Sequence, residues 1–200
     1  MNAKTFIKQE TQADTKLRLF SLYVDFAASA RAKWASGAIT KLVGLRWKTC
    51  SEMWNLDSFK ASQQIRRIIL QGAADADVLI VGLSSLDQRE SKLMEWLNAL
   101  AGQKAEHPGS GLLIGLLGDE DHDAGELGWT VQQFIRCAQK MGMDFIWHWM
   151  GQEAINETAW LTDNMEKFLS RKQSQFNIAW LQGTAANVGQ LPGSNLACGR

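Results

Sequence analysis

Several polar side chains stand at or near the ends of short apolar runs, and these are the residues of the chain that could do chemistry. They are Asp25, Ser29, Ser84, Ser85, Asp119 and His148. Carboxylate oxygens bind divalent cations, whereas Ser hydroxyls and the amino ends of helices bind phosphate groups. We therefore predict a crevice in which Asp25 and Asp119 hold one cation, with Mg²⁺ as the possible ion, and in which the Ser hydroxyls hold a phosphate.

The same side chains have a simpler interpretation. Ser and Asp are common at strand-to-helix turns because their side chains accept hydrogen bonds from the first amide groups of a helix. His148 stands between Trp147 and Trp149, a setting typical of a packed histidine. The chain has no HExxH, GxSxG or GxGxxG motif, so the sequence predicts no reaction and leaves an enzymatic role uncertain.

The apolar runs that carry these residues predict the fold. They are too short for buried helices and apolar on both faces, which is typical of strands in a parallel sheet covered by helices on both sides. A more polar fifth run, Arg46–Trp54, is typical of an edge strand. The four apolar runs are Leu17–Phe26, Asp77–Ser84, Gly111–Gly118 and Asp144–Met150.

Amphipathic helical stretches separate these runs, so the chain is predicted to be an α/β domain with a single doubly wound, mainly parallel five-stranded sheet. We predict the strand order 2-1-3-4-5, with helices on both faces. In this order the loops after strands one and three bound a crevice at the carboxyl edge of the sheet. That crevice is where the polar side chains named above would meet.

Helix ends and domain limits follow from local signals. Gly44 and Gly142 are predicted to end the first and fourth helices, and Asp57 or Ser58 to begin the second. The last helix is predicted near Glu153–Leu169. Residues 1–16 are expected to be a flexible segment, residues 17–169 the α/β domain, and residues 170–200 a mostly disordered tail because they are rich in Gln, Asn, Gly and Ser.

Composition limits the partners and the compartment. Lys plus Arg equals Asp plus Glu at 21 each, so no net charge attracts nucleic acid or an anionic membrane, and neither is expected as a partner. No apolar run approaches the roughly 20 residues needed to span a bilayer. Three Cys residues without a CxxC pair favour reduced thiols, and hence a cytoplasmic protein.

The chain contains nine Trp but a single Tyr. Most of these Trp residues are expected to pack in the core, since Trp carries a large apolar area. Trp147 and Trp149 lie on the last predicted strand, whose edge position would leave apolar area in water unless it is covered. They are therefore the predicted interface if the protein binds a protein partner or itself.

The run lengths, the helix spacing and an Asp after strand one resemble the receiver domain of bacterial response regulators, over about Leu17–Leu169. That family places two acidic residues after strand one, a phospho-accepting Asp after strand three and a Lys after strand five. Asp25 matches one acidic residue, but Val24 precedes it, Ser84-Ser85 stands at the acceptor position and His148 near the Lys position. The resemblance implies a degenerate receiver without ordinary phosphotransfer.

A flavodoxin-like site would need a hydroxyl- and glycine-rich loop after strand one to wrap the FMN phosphate. The segment Asp25–Ser29 has one hydroxyl and a negative charge at that place, so we predict no cofactor beyond the possible Mg²⁺.

The favoured hypothesis is a non-catalytic signalling or protein-interaction module of degenerate receiver-like type. The alternative is a small-molecule or phosphate-binding enzyme that uses the crevice at the C-terminal ends of strands 1 and 3. A module should present an exposed apolar patch near Trp147 and Trp149, whereas an enzyme should have a pocket that joins Asp25, Ser84 and Asp119.

Overall fold

A computed structural model of the protein describes residues 16–83, 90–105, 110–118, 124–150 and 158–188. The strands are β1 (Lys16–Tyr23), β2 (Lys48–Asn55), β3 (Val78–Leu83), β4 (Gly111–Gly118) and β5 (Met143–Met150). The helices are α1 (Phe26–Val43), α2 (Gln63–Ala74), α3 (Glu90–Ala105), α4 (Ala124–Met141) and α5 (Ala159–Val188). Short 3-10 helices span Gly44–Arg46 and Leu56–Lys60.

The five strands form one parallel sheet in the order β2-β1-β3-β4-β5, which confirms the predicted fold class and strand order. The burial of the strands explains this order. Positions 19–22 of β1 and all six residues of β3 are buried, whereas β2 has no buried residue. A strand that is apolar on both faces must lie inside the sheet, and a polar strand is stable at its edge.

Helices cover both faces of the sheet, and each face has its own core. On one face α1 and α5 pack on residues that include Leu19 and Ile80, and on the other face α2, α3 and α4 pack on Phe20 and Leu79. Neighbouring residues of one strand thus enter opposite cores, because successive side chains of a strand point to opposite faces. The ring of Trp96 on α3 stacks on that of Phe20 with centroids 6.4 Å apart.

The start of α2 differs from the prediction. Ser62 caps this helix, and its hydroxyl accepts a hydrogen bond from Ile65 N–H at 3.1 Å. Asp57 and Ser58 instead lie in the 3-10 helix Leu56–Lys60, which Asn55 caps. The prediction was wrong because two capping signals stand a few residues apart, and the first one begins only a single short turn.

The predicted glycine stops are correct, but the last helix is longer than predicted. Gly44 and Gly142 follow α1 and α4 with φ of 52° and 67°, a conformation that glycine adopts without strain. Helix α5 continues past Leu169 to Val188. The division of the chain at residues 16 and 169 stays a prediction, as does the cytoplasmic location. Among the described helices, none is long and apolar enough to cross a membrane.

Candidate ligand site at the carboxyl edge of the sheet

Asp25 follows β1 directly and caps α1. Its Oδ1 accepts a hydrogen bond from Ala28 N–H at 2.8 Å, and its backbone carbonyl accepts one from Ser29 N–H at 2.9 Å. A carboxylate is favourable here because it satisfies an amide that the helix leaves open and lies at the positive end of the helix dipole. Asp25 therefore has the capping role, which was the simpler of the two interpretations.

Ser29, the other predicted site residue of this loop, lies in the first turn of α1. Its hydroxyl donates to the Phe26 carbonyl at 2.7 Å. The hydroxyl proton is thus used within the helix, as is common for Ser in a helical turn.

The connection from β1 to α1 has two residues, Val24 and Asp25. Val24 N–H donates to the Gly82 carbonyl at 3.3 Å, so the pairing of β1 with β3 continues to the last residue before the cap. A Cβ atom at Gly82 would lie 2.6 Å from the Ala28 carbonyl oxygen. Glycine at this position therefore lets the first turn of α1 lie directly against the end of β3.

Arg31 ties the second turn of α1 to β3. Its Nη2 donates to the Leu83 carbonyl at 2.8 Å, and the contact is partly buried. The guanidinium of Arg31 thereby binds the last backbone group of the strand.

The remaining predicted crevice residues, Ser84, Ser85 and Asp119, lie outside the described residues. The cation site of Asp25 with Asp119 and the phosphate role of the serines stay predictions. Within the part of the chain that the structure describes, no three His, Cys, Asp or Glu side chains are grouped as metal ligands.

His148 lies on β5, opposite Leu116 of β4, and is therefore two strands away from β3. Its ring stacks on Trp160 of α5, with centroids 4.3 Å apart and planes inclined by 16°. This is the geometry of a packed aromatic pair, and it holds the imidazole against α5, away from the ends of β1 and β3.

The two predicted interface residues differ in their surroundings. Trp149 is half-buried and packs against the core under α3 and α4, whereas the Trp147 side chain is 43 % exposed. Phe145, two residues earlier on the same face, stacks on Phe134 of α4 with centroids 5.7 Å apart. Helix α4 thus covers part of the aromatic face of β5 and leaves Trp147 at the surface.

Phe26, predicted to end the first apolar run, is instead the first residue of α1 and is 88 % exposed beside the cap. Its exposure follows from helix geometry, because the buried residues of α1 fall on one stripe that includes Ala28, Ala32 and Ala35. At 100° per residue Phe26 lies about 200° from Ala28, on the opposite side of the helix. The large apolar residue at the rim of the crevice is therefore outside the core.

A second polar cluster lies at the opposite, amino edge of the sheet. Asp77, directly before β3, accepts a hydrogen bond from Arg18 N–H at 2.8 Å and pairs with Lys172 Nζ at 2.6 Å. Lys104 is 6 % exposed, and its Nζ donates to the Ala76 carbonyl at 3.0 Å. These contacts fasten α3 and α5 to the start of β3, so we assign them a structural role.

Cys137 on α4 is a buried free thiol. Burial raises the pKa of Cys137, since a thiolate loses its hydration in the core, and nearby Lys140 opposes this effect. A thiol held in its neutral form in the core is a poor nucleophile.

Solved structures of other proteins share this fold. An NADH:FMN oxidoreductase in its apo form superposes with a TM-score of 0.50 at 11 % identity, covering 76 % of this chain and 88 % of that chain. For an oxidoreductase from Corynebacterium diphtheriae the TM-score is 0.48 at 11 % identity, covering 65 % and 78 %. For a flavodoxin variant from Pseudomonas aeruginosa it is 0.45 at 15 % identity, covering 79 % and 97 %. No family model matches the chain, and no curated protein matches it.

These neighbours correct two predictions. The favoured hypothesis of a non-catalytic, receiver-like module is wrong, because the neighbour with a TM-score of 0.50 is described as an NADH:FMN oxidoreductase. The prediction of no cofactor beyond Mg²⁺ is contradicted by the same neighbour. The alternative hypothesis, a small-molecule-binding enzyme, is better supported. At this low identity the likeness shows the fold alone, which is a flavodoxin-like α/β architecture, and the resemblance to receiver domains is not confirmed beyond it.

Proposed function

We propose that this chain is a small-molecule-binding enzyme of the flavin-using redox type, with its ligand at the carboxyl edge of the sheet where β1 and β3 end. The observation that carries the proposal is a reversal of the winding at this point. Helix α1 packs on one face of the sheet after β1, whereas α3 packs on the other face after β3. Such a reversal separates two adjacent connections and leaves a crevice, which is the usual ligand site of doubly wound sheets.

Phe26 supports a planar aromatic ligand at this place. Its side chain is 88 % exposed at the first position of α1, next to the end of β1. A phenyl ring in water is stabilised when a flat heteroaromatic ring covers it, because both rings lose apolar surface and gain a stacking contact. We therefore propose that Phe26 contributes one wall of the ligand site.

The described residues fit a flavin ring better than a flavin phosphate. The Ala28 amide already donates a hydrogen bond to a carboxylate oxygen of Asp25 at 2.8 Å. That carboxylate repels a second anion. A bound flavin supplies electron and hydride transfer. The contribution of this chain is to bind the ring and to exclude water from it, and the described residues suggest no further step.

A flavin titration tests the proposal. Riboflavin and FMN are added separately to the purified chain, and the fluorescence of flavin and of Trp is followed. We expect saturable quenching with at least one flavin, and weaker binding by about tenfold for Phe26→Ala, the range expected when one aromatic contact of about 1.4 kcal/mol is lost.

Ile68→Ala is the matched control. Ile68 is an apolar residue of α2 with 47 % exposure, and it lies on a helix that does not follow β1 or β3. Its removal should leave the flavin affinity unchanged. If neither flavin produces saturable quenching, or if both variants lose affinity equally, the proposed site is wrong.

A further inference from the structure

We infer that the Asp25 carboxylate takes the place of a ligand phosphate, so that the site selects a flavin without a phosphate, riboflavin in class, over FMN. The inference rests on the proposed function for the identity of the ligand. The position of the Asp25 carboxylate at the amino end of α1 involves residues of this chain alone and does not depend on the ligand.

One amide at the amino end of α1 is already bound to the Asp25 carboxylate. The amino end of a helix binds phosphate through its open amide groups and its positive dipole. In α1 the Ala28 amide donates to Asp25 Oδ1 at 2.8 Å, whereas the Ser29 amide makes the first backbone hydrogen bond of the helix, to the Asp25 carbonyl at 2.9 Å. The Asp25 carboxylate therefore occupies one of the amides that a phosphate would use.

The connection between β1 and α1 is short. A loop that wraps a phosphate must leave the sheet before the helix begins, but only Val24 and Asp25 separate β1 from α1. The Val24 amide bonds to Gly82, and the first turn of α1 lies so close to Gly82 that a Cβ atom there would meet Ala28 O at 2.6 Å. The chain therefore enters the helix directly from the sheet, without a loop that could wrap a phosphate.

The charge at the amino end of α1 also disfavours a phosphate. Asp25 places a negative charge at the amino end of α1, where a phosphate would bring at least one more. Arg31 is the first cation of the helix, and its Nη2 donates to the Leu83 carbonyl at 2.8 Å. The Ser29 hydroxyl donates to the Phe26 carbonyl at 2.7 Å. The groups that could favour a phosphate are thus turned toward the protein backbone.

The test compares riboflavin and FMN on the full chain and on two variants. Asp25→Ala removes both the charge and the cap, whereas Asp25→Asn removes the charge and keeps a capping oxygen. For the unaltered chain we expect riboflavin to bind at least about tenfold more tightly than FMN. Asp25→Ala should strengthen FMN binding about tenfold and leave riboflavin binding nearly unchanged, and Asp25→Asn should produce a smaller gain.

Asp163→Asn is the control for net charge, because Asp163 is an exposed acid of α5 that pairs with Lys167 of the same helix at 2.6 Å. It should alter neither flavin affinity. The inference is overturned if the unaltered chain binds FMN as tightly as riboflavin, or if Asp25→Ala gains no affinity for FMN while circular dichroism shows it folded. If Asp25→Ala does not fold, the FMN affinity of Asp25→Asn is compared with that of the unaltered chain, and the absence of a gain overturns the inference.

A second measurement separates this inference from the proposed function. Thermal unfolding is followed in inorganic phosphate and in chloride of equal ionic strength. Phosphate should raise the unfolding temperature of Asp25→Ala by more than it raises that of the unaltered chain or of Asp163→Asn, because binding at the open amide adds to the general stabilisation by this anion. If no flavin binds any variant, the proposed function fails, and the phosphate experiment alone then tests the role of Asp25. An equal response of all three proteins to phosphate refutes that role.

Discussion

At the scale of single residues, the fold changes the pKa of Lys104. It is 6 % exposed, and it donates to one backbone carbonyl, that of Ala76. Burial lowers the pKa of Lys104 from 10.5; Asp77 and Asp75 oppose this shift, and Lys172 adds to it. The desolvation of the ammonium outweighs the attraction of the two acids, so the folded state holds this proton less tightly than the unfolded chain does.

Between the lowered pKa and 10.5 the unfolded chain binds more protons than the folded one, so the contribution of Lys104 to the free energy of unfolding rises with pH in this window. We expect Lys104→Met to lose this alkaline rise, measured by urea unfolding at a series of pH values. Lys167→Met, which removes an exposed lysine, should retain it. Parallel curves for the unaltered chain and Lys104→Met would contradict the assignment.

At the scale of elements, the contact of α1 with β3 positions the candidate site. It combines the short connection after β1, the Arg31 contact with Leu83 and the bare backbone of Gly82. The neighbouring Ala28 carbonyl belongs to the backbone of a helix, so it cannot move without shifting the whole first turn. The position of the Asp25 cap therefore depends on a glycine that lies in another strand.

Two alanine substitutions of glycine test this contact. Gly82→Ala should lower the free energy of unfolding by about 1–3 kcal/mol, the usual range for overpacking in a well-packed core. Gly37→Ala is the matched control: its Cβ would meet nothing within 4 Å inside α1, so we expect a gain of about 0.5–1 kcal/mol from helix propensity. Denaturant unfolding measures both. A Gly82→Ala protein as stable as the unaltered chain would show that the contact is not tight in solution.

At the scale of the whole molecule, the two edges of the sheet differ. The β2 edge carries Lys48 and Glu52 on a polar strand, and such charges discourage pairing with another sheet. The β5 edge carries Trp147 with 43 % of its side chain exposed. Self-association through β5 thus stays a prediction, in which Trp147 contacts a second copy of the chain and Trp149 supports the strand from within.

Separate substitutions distinguish these two roles. Trp149→Ala should lower the free energy of unfolding by about 2–3 kcal/mol, somewhat less than a fully buried Trp, because the side chain is half-buried. Trp147→Ala should lower it by less than about 1 kcal/mol and should weaken any dimer seen by sedimentation velocity. A monomer at all concentrations would refute the association, and equal losses of stability would place both side chains in the core.

The sequence by itself determined the sheet and the winding of the chain. Short apolar runs predict which strands are buried, because a central strand needs apolar residues on both faces and an edge strand does not. Gly44 and Gly142 were correct helix stops for a local reason, since each adopts a positive φ. Of the site, the sequence placed Asp25 at the end of β1 and Ser29 in the turn that follows.

Only the tertiary structure decided what those residues do. Asp25 caps α1, whose first turn lies at Ala28 against Gly82 of another strand, and Asp77 pairs with Lys172, a residue 95 positions away. The periodicity of apolar residues predicts whether a position is buried, but it does not predict which distant residue contacts that position. The Asp25 cap is local, because Asp25 and Ala28 are three residues apart. The contact of the first turn of α1 with Gly82 and the desolvation of Lys104 arise from long-range contacts, which exist only once the helices pack on the sheet.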